Sequence, residues 1–312
     1  MVCVKKALVT GATGFIGSNL CKLLLQGGYE VSGTTLEKHD KMQGVKVFEC
    51  DVKNKEQVSK IVKLVQPDAV FHLAAQPYVR KSWQDPKGTL ETNVLGTLNV
   101  FESVMQQELD AVIVSATSSI MYQTAKPPFK ETDALVPSNP YGLSKVAADH
   151  LGTMFAQQYG LKVVNARIFP TTGPGKIGDA PNDFATKLAE ISLGQREPKL
   201  EVEGLSQKRD LIHVSDNVKA LKLLAEKGKK GESYNICRGE AISVEEIVKQ
   251  MIGFTGKEVE LVYDQARIAE RGKDVSVVLG DPAKIKSLGW KSAYSYQNLF
   301  KEIFDYWVEK KR

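Results

Sequence analysis

The fold of this chain is decided by the stretch Thr10-Gly11-Ala12-Thr13-Gly14-Phe15-Ile16-Gly17, which follows a short apolar run and opens a helix-length segment. Glycines three residues apart let the backbone turn tightly, approach a diphosphate and pack the new helix against the strand. The N-terminus of that helix offers free N–H groups and a partial positive charge to an anion. The stretch therefore predicts a dinucleotide-binding turn, with a purely structural glycine turn as the alternative.

Around this turn, short β-branched runs alternate with helix-length segments. The strands are predicted at residues 7–10, 30–33, 46–49, 69–73, 111–115 and 162–168. The helices are predicted at residues 15–26, 55–65, 89–107 and 141–159. Such alternation is typical of βαβ units, in which helices cover both faces of a parallel sheet. The continuously apolar run at 69–73 indicates a central strand of that sheet.

The pattern changes after residue 169, where glycines and prolines crowd the segment 170–181. Helices are predicted beyond it at residues 183–193, 214–227, 243–255 and 296–310, with a short strand at 233–237. We therefore predict an α/β protein of two domains. A Rossmann-type, doubly wound parallel sheet occupies residues 1–169. A smaller mixed C-terminal substrate domain occupies residues 170–312, and some of its segments return to the first domain.

The composition excludes several classes of protein. Of the 312 residues, 42% are hydrophobic and 25% are charged, which is typical of a folded globular protein and not of a disordered one. The net charge of +5 is compatible with an anionic small ligand and is too small to predict nucleic-acid binding. With no signal-peptide cleavage site and no 18-residue apolar run in view, we expect a cytoplasmic protein without a membrane partner.

The cysteines and histidines lack the spacing of a metal site. The four cysteines form no CxxC pair, and the four histidines show no paired spacing. We therefore expect reduced structural thiols and no bound metal. The residues concerned are Cys3, Cys21, Cys50, Cys237, His39, His72, His150 and His213.

The choice of coenzyme depends on the end of the second predicted strand, which reads Thr34-Thr35-Leu36-Glu37-Lys38-His39. Thr35 stands where an acid would hold the adenosine ribose and leaves room for a 2′-phosphate, which favours NADP slightly over NAD. Glu37 could serve NAD, and Lys38 or His39 could serve NADP. An ordinary solvated loop is the alternative for each of them. The coenzyme is therefore predicted as NADP or NAD.

Tyr141 and Lys145 stand four residues apart near the start of a predicted helix, which places both on one helix face. A free phenol has a pKa of about 10, and a nearby lysine cation is expected to lower that pKa toward neutrality. Ser118 follows the strand predicted at 111–115, close to the carboxyl ends of the parallel strands, where catalytic groups gather. Its hydroxyl can hold a substrate oxygen that Tyr141 protonates. These residues predict an acid–base site, although a solvent-facing pair is the alternative for this spacing alone.

With these residues the chain resembles the extended short-chain dehydrogenase/reductases that act on nucleotide sugars, over nearly all of its length. Within that family it is most similar to GDP-4-keto-6-deoxy-D-mannose reductases and GDP-mannose 4,6-dehydratases. The motifs that carry the resemblance are the glycine turn, Ser118 with Tyr141 and Lys145, His72-Leu73-Ala74-Ala75-Gln76, Thr92-Asn93-Val94-Leu95-Gly96-Thr97, Arg167-Ile168-Phe169, Thr172-Gly173-Pro174-Gly175 and Lys208-Arg209-Asp210.

The resemblance implies roles for the matched positions. The implied catalytic residues are Ser118, Tyr141 and Lys145. The implied coenzyme contacts are Gly11, Gly14, Phe15, Ile16, Gly17, Thr35, Asp51, Val52, Leu73, Ala74, Ala75, Tyr141 and Lys145. The implied substrate contacts are Ser118, Ser119, Asn182, Arg209 and Arg271. A guanidinium fork suits the oxygens of a diphosphate, while a surface ion pair is the alternative for either arginine.

A homodimer is also implied by the resemblance. In the family, the helices predicted at 89–107 and 141–159 pair with those of a second copy in a four-helix bundle. An apolar stripe on the second helix is compatible with that interface, and equally with packing on its own sheet. The stripe consists of Val146, Leu151, Met154 and Phe155.

Two positions depart from the family's pattern. Ile120 stands where 4,6-dehydratases carry an acid that helps to expel the C6 hydroxyl, and Pro170-Thr171 replaces an Asn-His pair. Because Ile120 cannot move a proton, it counts against dehydration, whereas the missing acid does not by itself establish reduction. We therefore predict an NAD(P)-dependent nucleotide-sugar oxidoreductase that reduces a GDP-4-keto-6-deoxymannose-like substrate at C4. A nucleotide-sugar 4-epimerase is the alternative, followed by a 4,6-dehydratase and a non-catalytic coenzyme sensor.

Overall fold

The structure is a computed structural model that describes residues 5–37, 42–122, 126–263 and 276–312. Within these ranges the strands are β1 (Lys6–Thr10), β2 (Glu30–Thr35), β3 (Val45–Glu49), β4 (Ala69–His72), β5 (Val112–Ser118), β6 (Lys162–Ile168), β7 (Thr171–Thr172), β8 (Lys199–Val202), β9 (Lys208–Arg209), β10 (Ile212–His213), β11 (Ser233–Ile236), β12 (Ile242–Ser243), β13 (Glu260–Tyr263) and β14 (Val277–Val278).

The α-helices of the same ranges are α1 (Phe15–Gln26), α2 (Lys55–Val65), α3 (Val79–Gln84), α4 (Pro86–Leu90), α5 (Gly96–Gln106), α6 (Pro140–Gln158), α7 (Ala180–Ser192), α8 (Val214–Lys227), α9 (Val244–Thr255), α10 (Ala283–Ser287) and α11 (Tyr296–Lys311). A π-helical turn, Glu91–Leu95, joins α4 to α5. A 3₁₀ turn, Ser119–Tyr122, directly follows β5.

Seven of these strands form one parallel sheet in the order β3-β2-β1-β4-β5-β6-β11. The strand order reverses between β1 and β4, which opens a crevice at the carboxyl ends of those strands, where α/β proteins bind ligands. Strands β1 and β4 are buried almost throughout, as parallel strands covered on both faces must be. The prediction of a Rossmann-type, doubly wound sheet is confirmed.

Successive residues of β1 enter apolar cores on opposite faces of the sheet. Val9 belongs to the core that contains Leu20 and Leu24 of α1 and Leu221 of α8. Leu8 belongs to the core formed with α2 and α5. This division follows from the two-residue period of side chains along a strand. The hydrophobic effect on both faces therefore holds the strand ends, and the site they carry, in fixed positions.

A third apolar core lies among α7, α9 and α11, with Phe184, Leu188, Met251, Phe300 and Phe304 as members. The chain after residue 169 does not stay in this C-terminal unit. Helix α8 packs against α1, and β11 pairs with β6, so both belong to the sheet layers. The sequence interpretation allowed for such returning segments, and a domain boundary near residue 169 stays a prediction.

The helix predicted at 89–107 is interrupted in the structure by the π-helical turn between α4 and α5. Asn93 lies in this turn and is almost completely buried. Its side chain accepts the backbone N–H of Gln76 at 2.8 Å and donates to Ser144 Oγ at 2.9 Å. These tertiary hydrogen bonds hold the wide turn in place, and helical periodicity in the sequence does not report them.

Candidate active site

A cleft of about 2600 Å³ lies over the carboxyl ends of the parallel strands and is lined from both the sheet and the C-terminal unit. The glycine turn forms one wall of it. Gly11 has a φ of 68°, a left-handed conformation that glycine adopts without strain. A Cβ added at Gly17 would lie 2.2 Å from the carbonyl oxygen of Gly11. The close approach of α1 to β1 therefore requires glycine at both positions.

The N-terminus of α1 opens into the cleft. Its N-cap residue is Gly14, which has no side chain to accept the first N–H groups of the helix. A diphosphate at this end would supply the missing acceptors and would be favoured by the helix dipole. The residues present therefore fit the predicted dinucleotide.

All predicted coenzyme contacts lie along this one cleft: Gly11, Gly14, Phe15, Ile16, Gly17, Thr35, Asp51, Val52, Leu73, Ala74, Ala75, Tyr141 and Lys145. At the end of β2, Thr35 Oγ1 lies 3.1 Å from Thr13 Oγ1. Glu37 also lines the cleft. Lys38 and His39, the other candidates for coenzyme discrimination, lie outside the described residues. The individual contact roles stay predictions.

Buried His72 links the end of β4 to Thr10 at the end of β1 and to Thr97 of α5. Its Nε2 lies 3.0 Å from Thr97 Oγ1, whose own proton goes to a backbone carbonyl, so Nε2 carries the ring proton. Nδ1 then accepts from Thr10 Oγ1 at 2.8 Å, and the same oxygen accepts the backbone N–H groups of Leu73 and Ala74. Burial lowers the pKa of His72 to about 3, so this imidazole is a neutral structural link.

Helix α6 begins at the cleft because of its N-terminal cap. Asn139 Oδ1 accepts the backbone N–H of Gly142 at 2.8 Å, and Pro140 occupies the first helical position, where its missing N–H costs nothing. Tyr141 therefore stands in the first turn of the helix, close to the carboxyl end of β5. The following turn carries Lys145 on the same helix face.

Ser118, Tyr141 and Lys145 are brought together in the cleft, as the sequence predicted. The Ser118 side chain lies near enough to the Tyr141 hydroxyl to lower its pKa. Lys145 Nζ donates to the carbonyl oxygen of Ala116 at 2.9 Å and lies 6.0 Å from the centroid of the Tyr141 ring. The arrangement places a proton donor, a second hydroxyl and a cation around one point.

Burial shifts the pKa values of both Tyr141 and Lys145. It raises the pKa of Tyr141, and the contact with Ser118 only partly opposes that rise. Burial also lowers the pKa of Lys145 to about 8. The expectation of a net fall in the pKa of Tyr141 is wrong for this geometry, because desolvation of the phenol outweighs the effects that favour the phenolate. At pH 7 the phenol is neutral, and the amine is still mostly charged.

The predicted substrate contacts Ser119 and Arg209 also line the cleft, as does Ile120. Arg209 Nη1 donates to the carbonyl of Lys208 at 3.0 Å, and Nη2 donates to Gln207 Oε1 at 3.1 Å. These bonds hold the guanidinium at the cleft wall. Its substrate contact stays a prediction, and Arg271 lies outside the described residues.

Asn182 does not line the cleft, although the resemblance implies a substrate contact. Its side-chain Nδ2 donates to the carbonyl of Gly173 at 3.0 Å and to Asp179 Oδ1 at 2.9 Å. Its Oδ1 accepts from Trp307 Nε1 at 2.9 Å. Because the amide is buried and directed at the protein, a direct side-chain contact with substrate is not what the geometry supports. Asn182 instead fastens the loop before α7 to α11.

Lys176 is a cleft residue that the sequence interpretation missed. Its Nζ lies 5.8 Å from the centroid of the Phe15 ring and 3.6 Å from Asp179 Oδ2, so it connects the glycine turn with the start of α7. A single cation in a loop rich in glycine and proline is too weak a signal to predict this position.

In the described ranges, no helix is long and apolar enough to cross a membrane. Nor do those ranges contain a group of three or more His, Cys, Asp or Glu residues that could hold a metal ion. Cys21, Cys50 and Cys237 are buried free thiols, whereas Cys3 lies outside the described residues.

The parallel sheet, the glycine turn, the strand-end serine and the Tyr-x-x-x-Lys helix together define an NAD(P)-dependent enzyme of the short-chain dehydrogenase/reductase class. The family model described as GDP-mannose 4,6 dehydratase matches residues 8–303. The chain belongs to this family.

Comparison with individual proteins supports the same class. GDP-6-deoxy-D-mannose reductase of Pseudomonas aeruginosa is 31% identical over 251 residues, which cover 79% of this chain and 82% of that protein. The structure of RMD from Pseudomonas aeruginosa complexed with NADPH has a TM-score of 0.85 at 27% identity and covers 98% of both chains. UDP-glucose 4-epimerase from Thermus thermophilus in complex with NAD has a TM-score of 0.84 at 28% identity, with 97% of this chain and 98% of that chain covered.

This chain is therefore similar to nucleotide-sugar reductases and epimerases alike. The predicted membership of the nucleotide-sugar short-chain dehydrogenase/reductases is confirmed. The predicted NAD(P) coenzyme agrees with the NADPH and NAD held by the two structural neighbours.

Proposed function

We propose that this chain reduces a 4-keto sugar nucleotide, GDP-4-keto-6-deoxymannose-like, at C4 with an NAD(P)-type coenzyme. The observation that carries the proposal is that Ser118 and Tyr141 lie beside each other in the cleft that the glycine turn lines. A carbonyl oxygen against these hydroxyls meets a proton donor and a second hydrogen-bond donor. The similarity to GDP-6-deoxy-D-mannose reductase supports this class of substrate.

Each catalytic side chain has one task in this proposal. The bound coenzyme supplies hydride. Tyr141 gives its proton to the oxygen at C4, and its raised pKa keeps the phenol protonated at pH 7, the form that a reduction needs. Ser118 Oγ accepts the backbone N–H of Ile120 at 3.4 Å, so its own proton is available to the substrate oxygen. Lys145 stabilises the phenolate that remains after proton transfer.

For the coenzyme we propose NADPH. The end of β2 offers the hydroxyls of Thr13 and Thr35, which do not repel a 2′-phosphate. Glu37, which also lines the cleft, is the residue that would favour NAD. Fluorescence titration with NADPH and NADH tests this choice. We expect about tenfold or greater preference for NADPH, as for a charge-assisted phosphate contact, and equal or reversed affinities would contradict the proposal.

Epimerisation is the second candidate, because the UDP-glucose 4-epimerase from Thermus thermophilus matches the whole fold at nearly the same TM-score as RMD. An epimerase removes hydride from C4 and returns it to the other face, so the coenzyme is not consumed. Dehydration is not proposed, because Ile120 stands beside Ser118 in the cleft without a group that could transfer a proton.

The absorbance of the reduced coenzyme distinguishes the two candidates. The purified chain is incubated with GDP- or UDP-linked 4-keto sugars and, separately, with GDP- and UDP-sugars, while the absorbance and the sugar products are followed. Oxidation of one coenzyme for each sugar reduced supports the reductase. Product formation without net oxidation identifies an epimerase, and coenzyme binding without any turnover identifies a non-catalytic sensor.

We also propose that the chain forms a homodimer. Four apolar side chains are exposed on adjacent helices and the π-helical turn: Leu90, Leu95, Leu143 and Met154. These elements pack against one another, and exposed apolar side chains grouped on neighbouring elements are typical of protein interfaces. In the apolar stripe of α6, Leu151 and Phe155 pack into the core of their own sheet, whereas Met154 is exposed.

Light scattering tests the dimer. We expect a species of twice the chain mass of 34.4 kDa at micromolar concentration, and a shift toward the monomer in a Leu143→Glu/Met154→Glu variant. The matched control is Ile177→Glu, an exposed apolar residue on a loop outside this surface. A monomeric wild type would refute the proposal.

A further inference from the structure

We propose that the buried ion pair between Arg167 and Asp149 is a positioning device. It holds Tyr141 and Lys145 of α6 at a fixed distance from Ser118 of β5. The inference rests on the proposed function of these three residues, the catalytic trio. Arg167 lies on β6, and Asp149 lies on α6. Arg167 Nε donates to Asp149 Oδ2 at 3.0 Å, and Nη2 donates to Oδ1 at 2.7 Å. The two side chains are 7% and 2% exposed, so the bidentate pair is protected from solvent and fixes one geometry.

On the helix side, the pair controls the residues that carry the acid and the cation. Tyr141, Lys145 and Asp149 follow one another at intervals of four residues and therefore form one row along α6. Lys145 already contacts the carbonyl of Ala116 on β5. Anchoring Asp149 two turns beyond Tyr141 fixes the rotation of α6 about its axis, and with it the position of the phenol over the strand end.

On the sheet side, the Asp149 carboxylate reaches three adjacent strands. Besides Arg167 of β6, it accepts from Thr117 Oγ1 of β5 at 3.1 Å and from Ser233 Oγ of β11 at 3.2 Å. Thr117 directly precedes Ser118. One carboxylate therefore ties the catalytic helix to the strand that ends in the catalytic serine.

The other end of the guanidinium holds the segment that follows Ser118. Arg167 Nη1 donates to the hydroxyl of Tyr122 at 2.7 Å and to the carbonyl of Glu131 at 2.9 Å. The Tyr122 hydroxyl in turn donates to Asn235 Oδ1 at 2.8 Å. Tyr122 is the last residue of the 3₁₀ turn that begins at Ser119. Ser118 is therefore held through Thr117 before it and through this turn after it.

Stability alone does not account for this network. A buried ion pair is often replaced by well-packed apolar residues without loss of stability, because desolvation offsets the attraction between the charges. What an apolar pair lacks is direction, whereas the guanidinium and carboxylate orient a helix, three strands and a turn through defined hydrogen bonds. All of these elements meet at Ser118 and Tyr141.

The first test does not depend on turnover. The pH dependence of Lys145 acylation, read by mass spectrometry of the peptide, reports how tightly this amine is held in its buried position. For the wild type we expect a midpoint near the pKa of about 8. In Asp149→Asn and Thr117→Val the midpoint should rise toward the ordinary 10.5, because a displaced α6 exposes the amine to water. An unchanged midpoint in both variants overturns the proposal, even if the wild type shows no activity on any sugar nucleotide.

The second test compares two buried carboxylates. Asp216 on α8 is fully buried and accepts from Ser292 Oγ at 2.9 Å and from the backbone N–H of Ala293 at 2.8 Å. These hydrogen bonds anchor the segment before α11, and none of them involves Ser118, Tyr141 or Lys145. Asp216→Asn is therefore the matched control, because it removes a buried carboxylate without touching the catalytic residues.

At temperatures where both variants are folded, we expect Asp149→Asn to lower kcat by about 10²-fold, as a small misplacement of catalytic groups does. Its affinity for the coenzyme should change little, and Asp216→Asn should retain kcat. Equal kcat losses in the two variants at matched Tm would show a purely structural role. If Asp149→Asn does not fold, Thr117→Val and Tyr122→Phe decide, since each removes only one hydroxyl of the network and should lower kcat by about threefold or more. Unchanged kcat in both overturns the proposal.

Discussion

The two sides of the cleft are built in different ways. On the coenzyme side, β1, β4 and β5 are strands of five, four and seven residues, and the binding surface is largely backbone at Gly11, Gly17 and the start of α1. On the predicted substrate side, the cleft is lined from β7, β9 and β14, which are two residues long, and from β8, which has four residues. There the surface is made by side chains such as those of Lys176 and Arg209.

This difference explains how one fold serves several reactions. A surface made of backbone tolerates few substitutions, because it depends on the absence of side chains and on close approach of the chain. A surface made of side chains on short strands and loops can change its specificity while the fold is kept. The catalytic trio lies where the two surfaces meet, so substitutions on either side should have separable effects.

The largest effect is expected at this junction. Tyr141→Phe removes the proton donor and should lower kcat by about 10³-fold or more, at the upper end of what acid–base catalysis contributes. Coenzyme affinity, measured by fluorescence titration, should stay within about threefold, since the ring is kept and only one hydrogen bond is lost. Tyr159→Phe, an exposed tyrosine at the end of the same helix, is the control. Undiminished turnover of Tyr141→Phe would remove the proposed mechanism.

A substitution in the backbone-made surface should affect the coenzyme instead. In Gly17→Ala the new Cβ would lie 2.2 Å from the Gly11 carbonyl oxygen, so α1 must move away from the turn. We expect the affinity for NADPH to fall by about 10²-fold, in line with a strain of about 1–3 kcal/mol. Calorimetric titration provides the measurement.

The control for this substitution is Gly253→Ala in α9, where no described atom lies within 4 Å of an added Cβ. Alanine there should leave coenzyme affinity unchanged and stabilise the fold by about 0.5–1 kcal/mol, because glycine is unfavourable inside a helix. Equal affinities for wild type and Gly17→Ala would show that the turn does not form the diphosphate site.

The same contrast separates what the sequence could predict from what it could not. The glycine turn, the buried strands and the helix start at Tyr141 were predictable, because each is a local demand for a backbone conformation or an apolar face. The π-helical turn at Asn93 and the inward side chain of Asn182 depend on hydrogen bonds to distant segments. The raised pKa of Tyr141 likewise depends on burial, which the spacing to Lys145 does not reveal.

A substitution in the side-chain-made surface should change substrate affinity alone. Arg209→Met removes a guanidinium from the cleft wall and should raise KM for the sugar nucleotide by about tenfold or more, as for a charge-assisted hydrogen bond of about 1.5–3 kcal/mol. The coenzyme affinity should not change. The control is Arg196→Met, which removes a partly exposed arginine paired with Glu190. An unchanged KM in Arg209→Met would leave that arginine a structural role only.

The smallest effect concerns the cation of the trio. Because burial lowers the pKa of Lys145 to about 8, the amine loses its charge as the pH rises through that value. The raised pKa of Tyr141 keeps the phenol protonated over the same interval. With saturating coenzyme and substrate, kcat should therefore fall about twofold between pH 7 and pH 8 and about fivefold between pH 8 and pH 9, as one proton is lost. Lys145→Arg keeps its charge at these pH values, so its kcat, although lower, should show no decline near pH 8. If the decline persists in that variant, the group that titrates is not Lys145, and the cation has no part in setting the rate.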